Sequence, residues 1–126
     1  MKPIFIYSDR FLNVVSWFFR VGGISLFPFV VLRGKYKNTV STYTYIRAET
    51  IHNHETIHFK QQLETLVFVF YVIYVLEFIV KFAIYRNVKE AYKNISFERE
   101  AYLNESNFTY LNHRIKFNWI NLIFIK

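Results

Sequence analysis

The chain contains no cysteine. That excludes a disulfide framework and every thiolate metal site, so a metal ion would have to be held by His, Asp or Glu. Glycine (3) and proline (2) are nearly absent too, which leaves few positions where sequence alone marks a turn. Basic residues are plentiful and the formal net charge is +7. They are spread along the chain, however, and the clustered basic stripe of a nucleic-acid-binding protein is missing. No nucleic-acid partner is expected. Internal repeats are also lacking, so 126 residues are read as a single domain over residues 1–126.

What the chain does have is apolar and aromatic bulk: 53% hydrophobic residues, with 15 Phe and 10 Tyr. Abundant Phe, Tyr, Asn, Ile and Lys beside scarce Gly, Pro and Ala is the pattern that AT-rich coding imposes. The N-x-S/T triplets at Asn94, Asn104 and Asn107 are accordingly read as accidents of composition. A chain both basic and hydrophobic suits the anionic face of a bilayer. Membrane lipid is therefore the expected partner and the membrane the expected location, provided that a membrane segment exists.

The first apolar region, FLNVVSWFFRVGGISLFPFVVLR, has Arg20 near its middle, followed by Gly22, Gly23 and Pro28. Charge at mid-bilayer depth is costly and the Gly-Gly and Pro interrupt a helix. The reading is a helix over about residues 9–21, a turn, and an extended stretch near 26–33, interfacial or re-entrant more than spanning. No small-x-small site follows, so no cleaved leader is expected. In VSTYTYIR, β-branched residues alternate with period two, which predicts a strand near residues 39–46 that pairs with 26–33 across Gly34.

From Ala48 to Arg86 there is neither Gly nor Pro, and a continuous helix is expected. It is polar up to Thr65. Beyond that lies LVFVFYVIYVLEFIVKFAIY, Leu66 to Tyr85, whose only charges, Glu77 and Lys81, stand four apart and are expected to pair. About 20 helical residues cover roughly 30 Å, the thickness of a hydrocarbon core. A core helix of a cytoplasmic protein is the alternative, but a chain this short has little mass with which to cover it. Helices near 87–93 and 97–112 and a basic, aromatic interfacial tail from Arg114 complete the reading. The expected fold class is mainly α: a small helical, zincin-like domain with a short β-hairpin before the HETIH helix and one long apolar helix, about 66–85.

Residues 54–58 read HETIH. On a helix, His54 and His58 share one face and their imidazoles can converge on a single ion. Glu55 lies about 100° around the helix, where it can reach a water in the site without being a ligand. A third ligand is needed. Downstream stands FEREAY, in which Glu98, Ala101, Tyr102 and Glu105 form one helical stripe, with the small Ala101 allowing close approach of another helix. Glu98 would complete the His₂Glu set of catalytic zinc, which leaves a position open to water. Glu100 points almost opposite to Glu98, so only one of the two can face the site; Glu98 is favoured and Glu100 remains the alternative.

HETIH followed by E-x-x-A-Y resembles the gluzincin class of zinc metallopeptidases, and most nearly the integral-membrane CAAX-prenyl endopeptidases, whose third ligand lies in an E-x-x-A-D sequence. The wider pattern, from PFVVL through NHETIHFKQQLE to AYKNISFEREAYLNE, is also similar to small bacterial membrane proteins. The resemblance implies Zn²⁺ held by His54, His58 and Glu98, with Glu55 as the catalytic base acting on a peptide or protein substrate. Two departures stand out. Tyr102 replaces the Asp that orients a ligand histidine, so that role would fall to Gln61, Gln62 or Glu105. The chain is also far shorter than those enzymes.

Other polar residues are weighed by position. Glu64 is placed on the far side of the helix, in solvent. Glu77 lies too far along a continuous helix to share the ion. His52 and His113 are read as surface imidazoles, yet they would be the source of a fourth ligand if the site were closed and structural. Tyr102, Tyr110, His113 and Arg114 are chemically able to stabilise an oxyanion. The functional expectation is a membrane-associated zinc metallohydrolase, most simply a peptidase. The alternative is a non-catalytic membrane protein with a structural or vestigial metal site.

Overall fold

The computed structural model describes residues 1–16, 22–37 and 41–124. Among these the order is β1 (Ile4–Tyr7), α1 (Asp9–Val15), β2 (Gly23–Leu26), β3 (Phe29–Leu32), α2 (Thr42–Glu64), α3 (Phe68–Tyr85), α4 (Val88–Lys93), α5 (Ser96–Asn104) and α6 (Tyr110–His113). Short 3-10 turns at Gly34–Tyr36 and Asn118–Leu122 follow β3 and α6. The protein is mainly helical with one small sheet, as the sequence predicts.

The sheet has the order β1-β3-β2, with β1 parallel and β2 antiparallel to β3. The hairpin therefore precedes the HETIH helix, but its strands differ from those expected. β2 and β3 turn at Phe27–Pro28, whose peptide bond is cis, and the strand predicted over residues 39–46 is helical from Thr42. Residues 39 and 40 lie outside the described segments. Burial overrides the local β preference here. Ser41 caps α2 by accepting from the Thr44 amide at 3.1 Å. The helix then lays Ala48 and Ile51 against Val30, Leu32 and Tyr36, covering the sheet. Of the helix expected over 9–21, Asp9–Val15 forms; residues 17–21 lie outside the described segments.

The long helix expected from 48 to 86 is broken. Leu66 and Val67 take positive φ (59° and 51°), conformations that cost such residues about 1–3 kcal/mol each and persist only where packing over-determines them. The break lets α3 lie across α5, where Phe70 packs with Ile95, Phe97 and Trp119. Similarly, the helix expected over 97–112 divides into α5 and α6. Between them Asn107 accepts from the Thr109 amide and hydroxyl at 3.2 and 2.9 Å, an Asx turn that competes with helix. The tail from Arg114 is not one interfacial helix: Trp119 is buried in the Phe70 cluster, while Ile115 and Phe124 are exposed.

α3 is inverted for a helix facing water. Its outward side carries Val72, Val75, Leu76, Ile79 and Val80, each 42–58% exposed. Its polar groups turn inward. Glu77 does not pair with Lys81 but caps α5, accepting from the Ser96 amide at 2.8 Å and from the Ser96 hydroxyl. A carboxylate there complements the positive end of that helix. Lys81 donates to the Ile123 carbonyl at 3.0 Å.

Candidate metal centre

His54 and His58, one turn apart on α2, meet Glu98 of α5 in the interior; all three are at most 5% exposed. The stripe read from the sequence is the face that docks on α2. Ala101 is fully buried against Ile57, the Tyr102 ring lies edge-on to His54 with centroids 4.8 Å apart, and Glu105 reaches His54. The two imidazoles and the carboxylate approach one another closely, each histidine facing a different carboxylate oxygen, and one ligand atom from each residue falls within 4.8 Å of the others. His54 Nε2 is 3.2 Å from His58 Nε2 and 3.2 Å from Glu98 Oε2, and His58 Nε2 is 3.2 Å from Glu98 Oε1. Tetrahedral bonds of about 2.0–2.1 Å give edges of roughly 3.3 Å, close to each of these pairwise approaches, and two imidazoles with one carboxylate are a donor set whose chemistry suits a zinc-sized ion.

Each histidine is oriented from behind. Nδ1 of His54 donates to Glu105 Oε2 at 2.7 Å. Nδ1 of His58 donates to Gln61 Oε1 at 2.8 Å. The Gln61 amide nitrogen donates to the Phe97 carbonyl at 3.1 Å and to Glu100 Oε2 at 2.9 Å, which fixes its oxygen as the acceptor. Both imidazoles therefore turn Nε2 toward Glu98. Of the three residues expected to replace the missing Asp, Gln61 and Glu105 serve; Gln62 instead donates to the Ser25 carbonyl at 2.8 Å.

The ion-free electrostatics follow from burial and charge. Burial would lower the His54 pKa, but its hydrogen bonds to Glu105 and Glu98 outweigh that and raise it to about 10. His58 is raised as well, its burial outweighed by Glu98. Burial pushes Glu98 up, yet the two histidines hold it well below the ordinary carboxylate range. Protons thus sit where the cation would bind.

Glu55 differs from its neighbours. It is 4% exposed, and among the described residues no hydrogen bond holds its carboxyl. Burial raises its pKa, against the pull of His54 and His58. It stands between two cavities. One, about 280 Å³, runs between β2 and α3 and includes Ile24, Leu26, Phe70, Tyr74, Tyr92 and His58 in its lining. A smaller one, about 150 Å³, opens past Lys89, Lys93, Tyr102 and Glu105. Tyr74 also donates to Glu98 Oε1 at 2.7 Å. Tyr74, Tyr92 and β2 are site elements that the sequence reading missed; the extended stretch read near residues 26–33 covers β3 but only the end of β2.

Other readings are corrected. Glu64 is not in solvent: its side chain is 4% exposed and is bound by Arg114 at 2.8 and 2.9 Å. Glu100 is fully buried but faces away from the ligands, accepting from Arg114, Tyr110 and Gln61. Arg114 and Tyr110 are thereby committed to this network and do not face the ligand cluster. His52 bonds the Tyr7 hydroxyl and the Ala48 carbonyl, and His113 is exposed beside Tyr110. Neither joins the cluster, so among the described residues the metal-capable group is His54, His58 and Glu98 alone. Comparison with protein-family models, curated proteins and solved structures finds no match to this chain.

Proposed function

We propose that the protein is a membrane-associated, zinc-dependent hydrolase of gluzincin type that cleaves peptide bonds. The observation that carries this reading is the convergence of two imidazole Nε2 atoms and one buried carboxylate, each pair in contact at 3.2 Å, beside a buried Glu55 that lines a cavity and has no hydrogen bond among the described residues. A closed structural zinc site uses four protein ligands, whereas a catalytic site uses three and keeps a position open. Zinc held there would supply Lewis acidity toward a carbonyl oxygen and make a water acidic enough to attack at neutral pH. Glu55 would accept that water's proton and return it to the leaving nitrogen. The hydrogen bonds to Gln61 and Glu105 keep both Nε2 atoms aimed at the site.

The strand available for an extended substrate is β2, not the segment near residues 39–46. β2 is the sheet edge next to the cavity. Gly22 bonds back to β3 through Arg33, so by alternation Gly23 and Ser25 present their backbone outward. The Ser25 carbonyl is taken by Gln62 and Tyr71, which leaves Gly23 as the position for edge pairing.

Membrane association is supported by α3, which has 18 residues, a mean hydropathy of 2.0 and only 6% of its residues buried, and whose outward side is apolar throughout. The test is zinc content and cleavage of a mixed peptide library in detergent, for wild type, Glu55→Gln and the His54→Ala, His58→Ala double variant. Zinc should be lost in the double variant and retained in Glu55→Gln, with cleavage lost in both. Equal zinc in the double variant overturns the metal site; undiminished cleavage by Glu55→Gln overturns the mechanism.

A further inference from the structure

We infer that α3 does not cross the bilayer but lies flat in one leaflet, its apolar side down, so that the protein is monotopic with the metal centre on the aqueous side. The inference rests on the membrane reading of α3 and goes beyond it by fixing the occupant of that face as the acyl region of a single leaflet.

Two observations carry it. The apolar side of α3 runs its whole length without a polar interruption, from Phe68 (75% exposed) to Ile84 (64%). Tyr71, Tyr74, Glu77 and Lys81 all turn to protein partners on the opposite side. Such a half-cylinder suits burial by about 5–10 Å at the headgroup and acyl boundary.

The second observation is what lies on the inner side. α4 packs along α3 and exposes Lys89, Glu90 and Lys93. α5 packs there too, through Phe70 and Phe97, and carries Glu98. Standing α3 along the bilayer normal would take the elements packed on its inner side to the same depth. Charged side chains would then lie beside hydrocarbon, which is costly. Laying α3 in the plane keeps α4, α5 and the ligand cluster in water while covering the exposed apolar side.

The absence of cysteine makes the test direct. Single variants Arg47→Cys, before α3, and Glu90→Cys, after it, are added to preformed sealed vesicles of phosphatidylglycerol and phosphatidylethanolamine. They are then treated with a membrane-impermeant maleimide. Both positions should label fully without lysis. In parallel, nitroxides on Val72→Cys and Ala83→Cys, which share the outward side, should report equal depth. A helix along the normal would separate them by roughly 16 Å. Protection of either Arg47→Cys or Glu90→Cys until lysis, or a depth difference of that size, overturns the in-plane arrangement while leaving membrane association intact. Failure of the wild-type chain to partition into the vesicles overturns both.

Discussion

Glu105 accepts a 2.7 Å hydrogen bond from Nδ1 of His54, across 51 residues of sequence. The contact depends on Asn53, the neighbour of His54, whose amide donates to the carbonyls of Asn104, Glu105 and Asn107 at 3.2, 2.8 and 3.1 Å. Asn53 thus satisfies the end of α5 while fixing the backbone from which Glu105 reaches back. In a metal site such a partner sets the tautomer and the ring orientation of the ligand.

Glu105→Ala should therefore weaken zinc binding by roughly 10- to 100-fold without unfolding the chain. Competition against a chromogenic chelator measures the affinity, and far-ultraviolet circular dichroism checks the fold. Unchanged affinity would mean that Glu105 is not an orienting partner.

The raised pKa of His54 has a consequence for stability. Its folded value, about 10, lies above the unfolded value of about 6.5. The ion-free protein then gains stability that is fully present below about pH 6.5 and lost as pH rises through about 10. Thermal unfolding with a chelator present should show this decline, and a His54→Gln variant should show less of it. Zinc held by these residues would take the place of the protons, so the loaded protein should lack this component. Zinc affinity itself should rise with pH between 6 and 8. A flat affinity across that range would contradict the protonated cluster.

Arg114 sits between Glu64 and Glu100, all three side chains at most 5% exposed. Truncating one partner of a buried ionic group strands the others, at a cost of about 3–5 kcal/mol. Arg114→Ala should accordingly lower the midpoint of unfolding strongly. Arg114→Lys should recover only part, because an ammonium lacks the fork that binds Glu64 through two nitrogens. Wild-type stability in Arg114→Ala would show that the network contributes little.

The candidate metal centre was more legible than the fold around it. Residue types at i, i+4 and one helical stripe suffice to place His54, His58 and Glu98, because helix periodicity is local. The strand expected at 39–46 gives way to helix from Thr42 on because Ala48 and Ile51 gain burial by covering the sheet. The turn at Leu66 and Val67 carries no Gly or Pro and is imposed by packing of Phe70 on Phe97, a long-range contact that no local pattern reveals. Glu64 looked solvated for the same reason: its partner, Arg114, is 50 residues away. Tyr74 was hidden inside an apolar run, where its hydroxyl gave no sign of reaching Glu98.

Gly23 joins the sheet to the site. It does not have positive φ, so its lack of a side chain is a matter of space and not of backbone conformation. A Cβ there would fall 2.6 Å from Leu32 Cδ2, 3.1 Å from the Val31 carbonyl oxygen and 3.2 Å from Glu55 Cγ. The backbone oxygen cannot rotate away and Leu32 is fully buried, so relief must come from moving β2, with Leu32 and Glu55 repacking around it. At Gly22 the nearest atom is the flexible tip of Ile51, at 3.3 Å. Gly23→Ala should cost about 1–3 kcal/mol as overpacking and should depress peptide cleavage, with zinc content retained because the ligands lie on α2 and α5. Gly22→Ala should be near neutral, since the lower entropy of its unfolded chain offsets mild crowding. Unfolding midpoints, zinc content and cleavage compared across the two variants test this. Equal behaviour of the two would show that the close approach of β2 to Glu55 does not constrain the site.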